Sequence, residues 1–105
     1  MLYRDHFGDV VELTDERWNH IVKEHPEMHP YLERIPGVLS DPDYVKRSRR
    51  DDVVWLYYRR YTDLFEGKFL LVVVKKGARP FILTATSPTE SRRETLYGKD
   101  HEDDL

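Results

Sequence analysis

The sequence predicts an α+β fold in which two N-terminal helices pack on one face of a four- or five-stranded antiparallel sheet. Helical periodicity occupies the first part of the 105-residue chain and strands follow, an order typical of α+β proteins. Lys68–Lys75 has a wholly apolar interior, so we expect a strand covered on both faces. Phe81–Thr86 follows after a short gap, and short connections between strands favour antiparallel pairing. The hydroxyls that end this last strand lie where a site could form.

The first helix is marked at both ends. Thr14 is a suitable N-cap, and two carboxylates follow it, where they interact favourably with the positive end of a helix. Pro26 ends the helix, because the residue before a proline is pushed out of helical geometry. Four residues share one face at helical spacing: Trp18, Ile21, Val22 and His25.

The remaining elements follow from turn residues and alternation. A small N-terminal hairpin is predicted with strands at 2–4 and 10–13. A second helix is predicted at 30–39, and Pro36 should kink or split it. Strands are predicted at 44–48, 53–61, 68–76 and 80–86, with a further edge strand at 95–97. We expect a single domain at 1–98 and a frayed acidic tail at 99–105.

Composition limits the class of protein. The chain has no cysteine, which excludes disulfides and thiolate metal sites and favours a reducing compartment. Its longest apolar run, residues 69–74, is too short to span a bilayer, and the N-terminus lacks the apolar stretch of a signal peptide. We therefore expect a cytoplasmic protein with no membrane association.

The net charge of −3 is unevenly distributed. Residues 1–42 carry four basic and nine acidic side chains. Residues 94–105 carry one basic and five acidic side chains. Residues 43–93, which contain the predicted sheet, carry twelve basic and six acidic side chains, a local charge of +6. A basic sheet can bind a phosphate backbone, although a solvated surface of mixed ion pairs explains the same pattern.

Two histidines of the first helix are candidate acid–base groups. His25 shares the apolar face, whereas His20 lies more than a quarter turn away. The alternative is a half-buried packing residue for His25 and an exposed polar residue for His20. Together with His29 they resemble a metal-ligand series, but Pro26 interrupts the helix between the second and third, so no metal and no cofactor are predicted.

The strands supply further candidates. Tyr58 and Arg59 could stack on a base and pair with a phosphate, or could simply pack across strands. Ile82, Thr84 and Thr86 are expected to point to one side of the last strand, where two hydroxyls could bind a phosphate or orient a nucleophile. Lys75 could neutralise a phosphoryl group, although lysines also guard strand ends.

Taken in order, several segments resemble one family. They are residues 13–27, residues 42–45, residues 57–59, Lys68–Lys75 and residues 81–85. The chain resembles phage-type Barnase-EndoU-colicin-RelE-like nuclease domains over roughly residues 10 to 97. It departs from that pattern at Thr86, where relatives tend to carry an aromatic residue, and in residues 92–97, which lack a glycine.

The resemblance implies a metal-independent endoribonuclease, of a toxin or phage-conflict type, that cleaves RNA by attack of a 2′-hydroxyl on the adjacent phosphorus. His20 or His25 would then be the acid or base. Lys75 or Arg59 would hold the phosphoryl charge. Tyr58, Thr84 and Thr86 would position the substrate. Implied partners are RNA and a cognate inhibitor protein. The alternative function is a non-catalytic module of the same fold that binds nucleic acid or protein, which the overall acidity favours.

Overall fold

The computed structural model describes residues 1–64 and 68–87. Two α-helices, α1 (Asp15–Glu24) and α2 (Ile35–Ser40), are joined by a 3₁₀ helix over Pro26–Arg34. Six strands complete the described chain: β1 (Leu2–Arg4), β2 (Val10–Glu12), β3 (Tyr44–Arg47), β4 (Val54–Tyr61), β5 (Lys68–Lys75) and β6 (Phe81–Thr86). The predicted strand at 95–97 and the predicted tail at 99–105 lie outside the described residues.

The first helix and the four main strands are confirmed to within about a residue at each end. Thr14 caps α1 by accepting a 3.0 Å hydrogen bond from the backbone N–H of Arg17. The second predicted helix is split rather than kinked: the 3₁₀ helix ends at Arg34 and α2 begins at Ile35. Pro36 lies in the first turn of α2, where its missing N–H has no intrahelical partner to lose.

All six strands belong to one mixed sheet, in the order β1-β2-β6-β5-β4-β3. The predicted antiparallel pairing holds for β3 to β6. The hairpin is confirmed, but it is not separate from the sheet: β2 joins β6 in parallel at Glu12 and Phe81. This pairing links residues far apart in sequence, so no local sequence pattern predicts it.

One face of the sheet is covered by the helices, and we call it the helix face. The hydroxyphenyl ring of Tyr57 is fully buried there among the apolar side chains of α1, the 3₁₀ helix and α2. The buried helical members of this core are Ile21, Met28, Ile35, Val38 and Leu39. The buried strand members that face them include Leu70, Val72, Val74, Ile82 and Ala85.

We call the opposite face of the sheet the second face. It is not open at its centre, because Leu56, Tyr58 and Leu71 are at most 2% exposed and form a second buried cluster. The ring of Tyr58 stacks on that of Tyr44, with centroids 4.5 Å apart. Any ligand on this face must therefore contact its rim.

A β-bulge changes which side chains of β6 share a face. Val74 pairs with Ile82 and Val73 pairs with Thr84, which leaves Leu83 as an extra residue. Ile82 consequently packs in the main core, while Thr84 and Thr86 lie on the second face. The expectation that Ile82 points with the two threonines is therefore wrong.

A buried polar network holds the hairpin loop against β4 and β5. The Asp5 carboxylate is fully buried and accepts hydrogen bonds from Tyr57 Oη at 2.5 Å and Lys76 Nζ at 2.6 Å. Its other oxygen accepts backbone N–H groups of Phe7 and Asp9. Every lone-pair direction is thus used, as a buried carboxylate requires.

These contacts shift the ionisation of all three groups. Burial raises the pKa of the Asp5 carboxyl, but the hydrogen bonds from Lys76, Tyr57 and the loop backbone outweigh it, so its pKa lies below the ordinary value. Burial raises the pKa of Tyr57, and its bond to Asp5 raises it further. Burial lowers the pKa of Lys76, but its contacts with Asp5 and Asp9 more than compensate, and the pKa is raised.

None of the helices within residues 1–64 and 68–87 has the length and apolar character needed to cross a membrane.

Candidate active site

The end of α1 brings an imidazole close to the C-terminal end of β6. His25 is the C-cap residue, with φ −130° and ψ 75°, and its backbone N–H bonds to the carbonyl of Ile21. Pro26 then forces the chain into the 3₁₀ helix, which packs against β6. The His25 side chain is 36% exposed, so a ligand can reach it.

A carboxylate connects this imidazole to the sheet. Glu27 Oε2 lies 3.7 Å from His25 Nδ1 and accepts a 3.0 Å hydrogen bond from Thr86 Oγ1. The same oxygen therefore contacts both residues. The Glu27 side chain is 39% exposed, so its carboxylate is also accessible.

Thr84 lies beside Thr86 on the same face of β6. Its Oγ1 is buried, and it makes no hydrogen bond within the described part of the chain. A buried hydroxyl without a partner loses the free energy of a hydrogen bond unless a ligand supplies one. The Thr84 residue as a whole is partly exposed, so a substrate oxygen could reach its hydroxyl only after neighbouring side chains shift.

The second face continues from these threonines across the sheet. Thr86 pairs with Leu71, and Leu71 pairs with Tyr58 on the next strand. Thr86 and Tyr58 are therefore two strand spacings apart, about 10 Å. Arg60 lies on this face at the same end of the sheet, opposite Phe69, with its guanidinium 5.7 Å from the Phe69 ring. It is a cation on the same side as the threonines.

Three predicted residues lie elsewhere. His20 is exposed on the outer side of α1 and lies 3.5 Å from the Glu24 carboxylate. Lys75 is at the other end of the strands, 3.7 Å from Asp51. Arg59 points to the helix face, where it bonds to the carboxylate and carbonyl of Asp41.

Two grooves run along the first turn of α1, at the opposite end of the helix from His25. One has a volume of about 370 Å³ and is lined by Thr14, Glu16, Arg17 and His20. The other, of about 340 Å³, shares Thr14 and Arg17 and adds Arg79 and the start of β6. Arg17 also donates a 3.4 Å hydrogen bond to the Leu83 carbonyl, which fixes α1 to the β6 edge.

Sequence analysis did not select Glu27 or Arg60, which the structure places near the candidate site. Glu27 acquires its position through Thr86, 59 residues later, and no local pattern reports such a contact. For Arg60 a signal existed, since alternation already placed it on the face opposite Arg59. Strands that are apolar on both sides do not show which face of the sheet the helices cover. The sequence therefore could not tell whether Arg59 or Arg60 lies on the helix face.

Within residues 1–64 and 68–87, no group of three or more His, Asp or Glu side chains is arranged to hold a metal ion. His20, His25 and His29 do not belong to such a group there.

The sequence matches the family described as phage-Barnase-EndoU-ColicinE5/D-RelE like nuclease2 over residues 1–99. No curated protein and no solved structure matches the chain significantly. The family match covers nearly the whole sequence, and the chain therefore belongs to the phage-Barnase-EndoU-ColicinE5/D-RelE like nuclease2 family.

Proposed function

We propose that this member of the nuclease family is a metal-independent RNA endonuclease that cleaves by attack of the 2′-hydroxyl. The observation that carries the proposal is the Glu27 carboxylate, whose Oε2 contacts both the His25 imidazole and the Thr86 hydroxyl. A base and an acid side by side at an exposed rim are what this reaction needs.

The roles follow from what each group can do with a proton. An ionised carboxylate only accepts hydrogen bonds, so Glu27 takes the proton from the 2′-hydroxyl as its oxygen bonds to phosphorus. A protonated imidazole only donates, so His25 gives a proton to the 5′-oxygen as the phosphorus–oxygen bond breaks. The products are a 2′,3′-cyclic phosphate and a 5′-hydroxyl.

The negative charge that develops on the phosphoryl oxygens needs fixed donors. Thr84 supplies a buried hydroxyl at the rim, and Arg60 supplies a guanidinium on the same face. Thr86 does not contact the reacting atoms in this scheme. It is a positioning residue that holds the Glu27 carboxylate. Tyr58 lies under the substrate as part of the second buried cluster.

Arg59 and Lys75, which the resemblance implied as phosphate-binding residues, have no part in this scheme, since each is paired with an aspartate away from the rim. His20 is also left out, because its imidazole is on another side of α1 and lies close to Glu24.

The direct experiment incubates purified protein with RNA in excess EDTA and compares two single variants. We expect His25→Ala to slow cleavage by about 10²- to 10⁴-fold, the usual contribution of an acid or base. His20→Ala is the matched control from the same helix, and it should retain a rate within about threefold of the unmodified protein. The reverse pattern would move the acid–base role to His20, and intact RNA in all three samples would contradict the proposal.

A non-catalytic nucleic-acid-binding role is the second candidate. It is favoured by the 3.7 Å separation of His25 and Glu27, which is longer than a hydrogen bond. Salt-sensitive RNA binding without any cleavage would select it. The toxin role and a cognate inhibitor stay part of the proposal, and cell growth on induced expression tests the former.

A further inference from the structure

The end of the sheet opposite His25 carries an aromatic and cationic surface that the proposed reaction does not use. It is formed by Phe7 of the hairpin loop, Trp55 of β4, Arg47 of β3 and Lys76, and we call it the aromatic end. Phe7 is 52% exposed although its side chain is a large apolar ring. Its ring meets that of Trp55 edge-on, with centroids 5.2 Å apart.

Cations surround these rings. Lys76 Nζ lies 4.8 Å from the Trp55 ring centroid and 5.2 Å from that of Phe7, and the Arg47 guanidinium lies 5.1 Å from Trp55. Lys76 is also bonded to Asp5 and Asp9, so its charge is balanced locally. Arg47 is exposed, and its guanidinium lies over the indole ring of Trp55, where its planar N–H groups can still pair with an anion.

The charge around the aromatic end is positive, in contrast to the whole chain. Residues 46–50 and 75–79 carry seven basic and no acidic side chains. The adjoining carboxylates of Asp5, Asp9, Asp51 and Asp52 are four, which leaves a local charge of +3. An exposed ring inside a positive surface fits a ligand that has both planar apolar groups and regular negative charges.

We propose that the aromatic end binds a single-stranded stretch of RNA, with a base stacked on the outer face of Phe7 and a phosphate paired with Arg47. The choice of RNA as the ligand rests on the proposed function. The positive charge and the exposed Phe7 ring are the independent reasons to place a binding surface here. Duplex RNA hides its base faces, so stacking on a side chain requires unpaired nucleotides.

In the plane of the sheet, the backbones of Trp55 and Thr86 are about 14 Å apart, and their side chains point to opposite faces. Trp55 and Tyr58 are three residues apart along β4, about 10 Å, and Tyr58 is two strands, about 10 Å, from Thr86. The aromatic end therefore holds nucleotides some distance from the scissile bond, and it contributes to binding without taking part in proton transfer.

The test measures binding of a 2′-O-methyl oligouridylate by the complete protein. This strand lacks the 2′-hydroxyl nucleophile, so it is bound without being cut by the proposed reaction. We expect Phe7→Ala to weaken binding by about tenfold, the effect of losing one stacked base, with an unchanged dependence on salt. We expect Arg47→Gln to weaken binding as well, and to lower the slope of log affinity against log salt by about 0.7, the value for one phosphate contact of a single strand.

Two control variants match these changes. Leu2→Ala removes another exposed apolar side chain, and Lys23→Gln removes a positive charge from the exposed last turn of α1. Both should bind as the unmodified protein does. A thermal melt of Phe7→Ala checks its folding, and Arg47→Gln gives an answer that does not depend on that variant.

Three results would overturn the inference: no binding of the strand at low salt, affinities within twofold for both variants, or equal affinity for duplex and single strand. The outcome is separable from that of the cleavage proposal. If RNA remains intact in the EDTA assay while the strand is bound and Phe7→Ala weakens it, only the cleavage proposal fails.

Discussion

The hydroxyl of Thr86 donates a 3.0 Å hydrogen bond to the carboxylate of Glu27, 59 residues earlier in the chain. This bond ties the end of β6 to the 3₁₀ helix directly after α1. It also aligns the one carboxylate oxygen that approaches His25. The geometry of the candidate acid–base pair therefore depends on a strand residue that does not itself exchange a proton.

We predict that Thr86→Val lowers the rate of RNA cleavage by roughly tenfold, because a hydrogen bond to a charged group is lost. Thr86→Ser, which keeps the hydroxyl, should restore most of the rate. Single-turnover cleavage and the pH–rate profile are the measurements. If Thr86 had a purely structural role, Thr86→Val would lower the melting temperature and leave the pH–rate profile as it is in the unmodified protein.

Arg60 and Arg59 are neighbours that point to opposite faces of β4. We predict that Arg60→Gln slows cleavage by about 10²-fold, a typical cost of removing a donor to a charged transition state. Arg59→Gln should change the rate by less than about threefold, since its guanidinium bonds to Asp41 on the helix face. Equal losses in both variants would count against the assignment of the second face.

The two adjacent lysines at the end of β5 should differ in their contribution to stability. Lys76→Met leaves the Asp5 carboxylate buried without its cation, so we predict a loss of about 3–5 kcal/mol in the free energy of unfolding. Lys75→Met is the control, because its pair with Asp51 is nearly half exposed, and it should cost less than about 1 kcal/mol. Urea unfolding of both variants measures the difference, and similar midpoints would refute it.

The buried network also predicts a response to acid. The pKa of Asp5 is lower in the folded chain than its ordinary value of 3.8, so the folded state binds fewer protons there than the unfolded state. Its stabilisation is therefore complete above about pH 3.8 and is lost as the pH falls through the folded pKa. Asp5→Asn should be less stable than the unmodified protein at neutral pH, and that difference should narrow on acidification. Unfolding midpoints between pH 7 and pH 2 test this, and a constant difference would contradict it.

Local patterns were sufficient for most of the fold. The Thr14 cap, the Pro26 stop and the alternation of β3 to β6 placed the first helix and four strands correctly. Three features depended on long-range packing and could not be predicted. They are the parallel bridge from Glu12 to Phe81, the bulge that turns Ile82 into the core, and the burial of Tyr58 on the second face.

The candidate site shows the same division. His25 was one of two candidate imidazoles in the first helix, and the sequence did not decide between it and His20. Glu27, the partner of His25, became visible only through the contact with Thr86. Lys75 and Arg59 were reasonable choices as cations on strands, but sequence does not tell which end of a strand or which face meets a given helix.

The most direct test of the account uses a DNA oligonucleotide that contains one ribonucleotide, incubated with the protein in EDTA. The account predicts one cut, on the 3′ side of the single ribose, which leaves a 2′,3′-cyclic phosphate and a 5′-hydroxyl, and no cut when His25→Ala replaces the unmodified protein. Cleavage of the same sequence made wholly of DNA, or undiminished cleavage by His25→Ala, would contradict it.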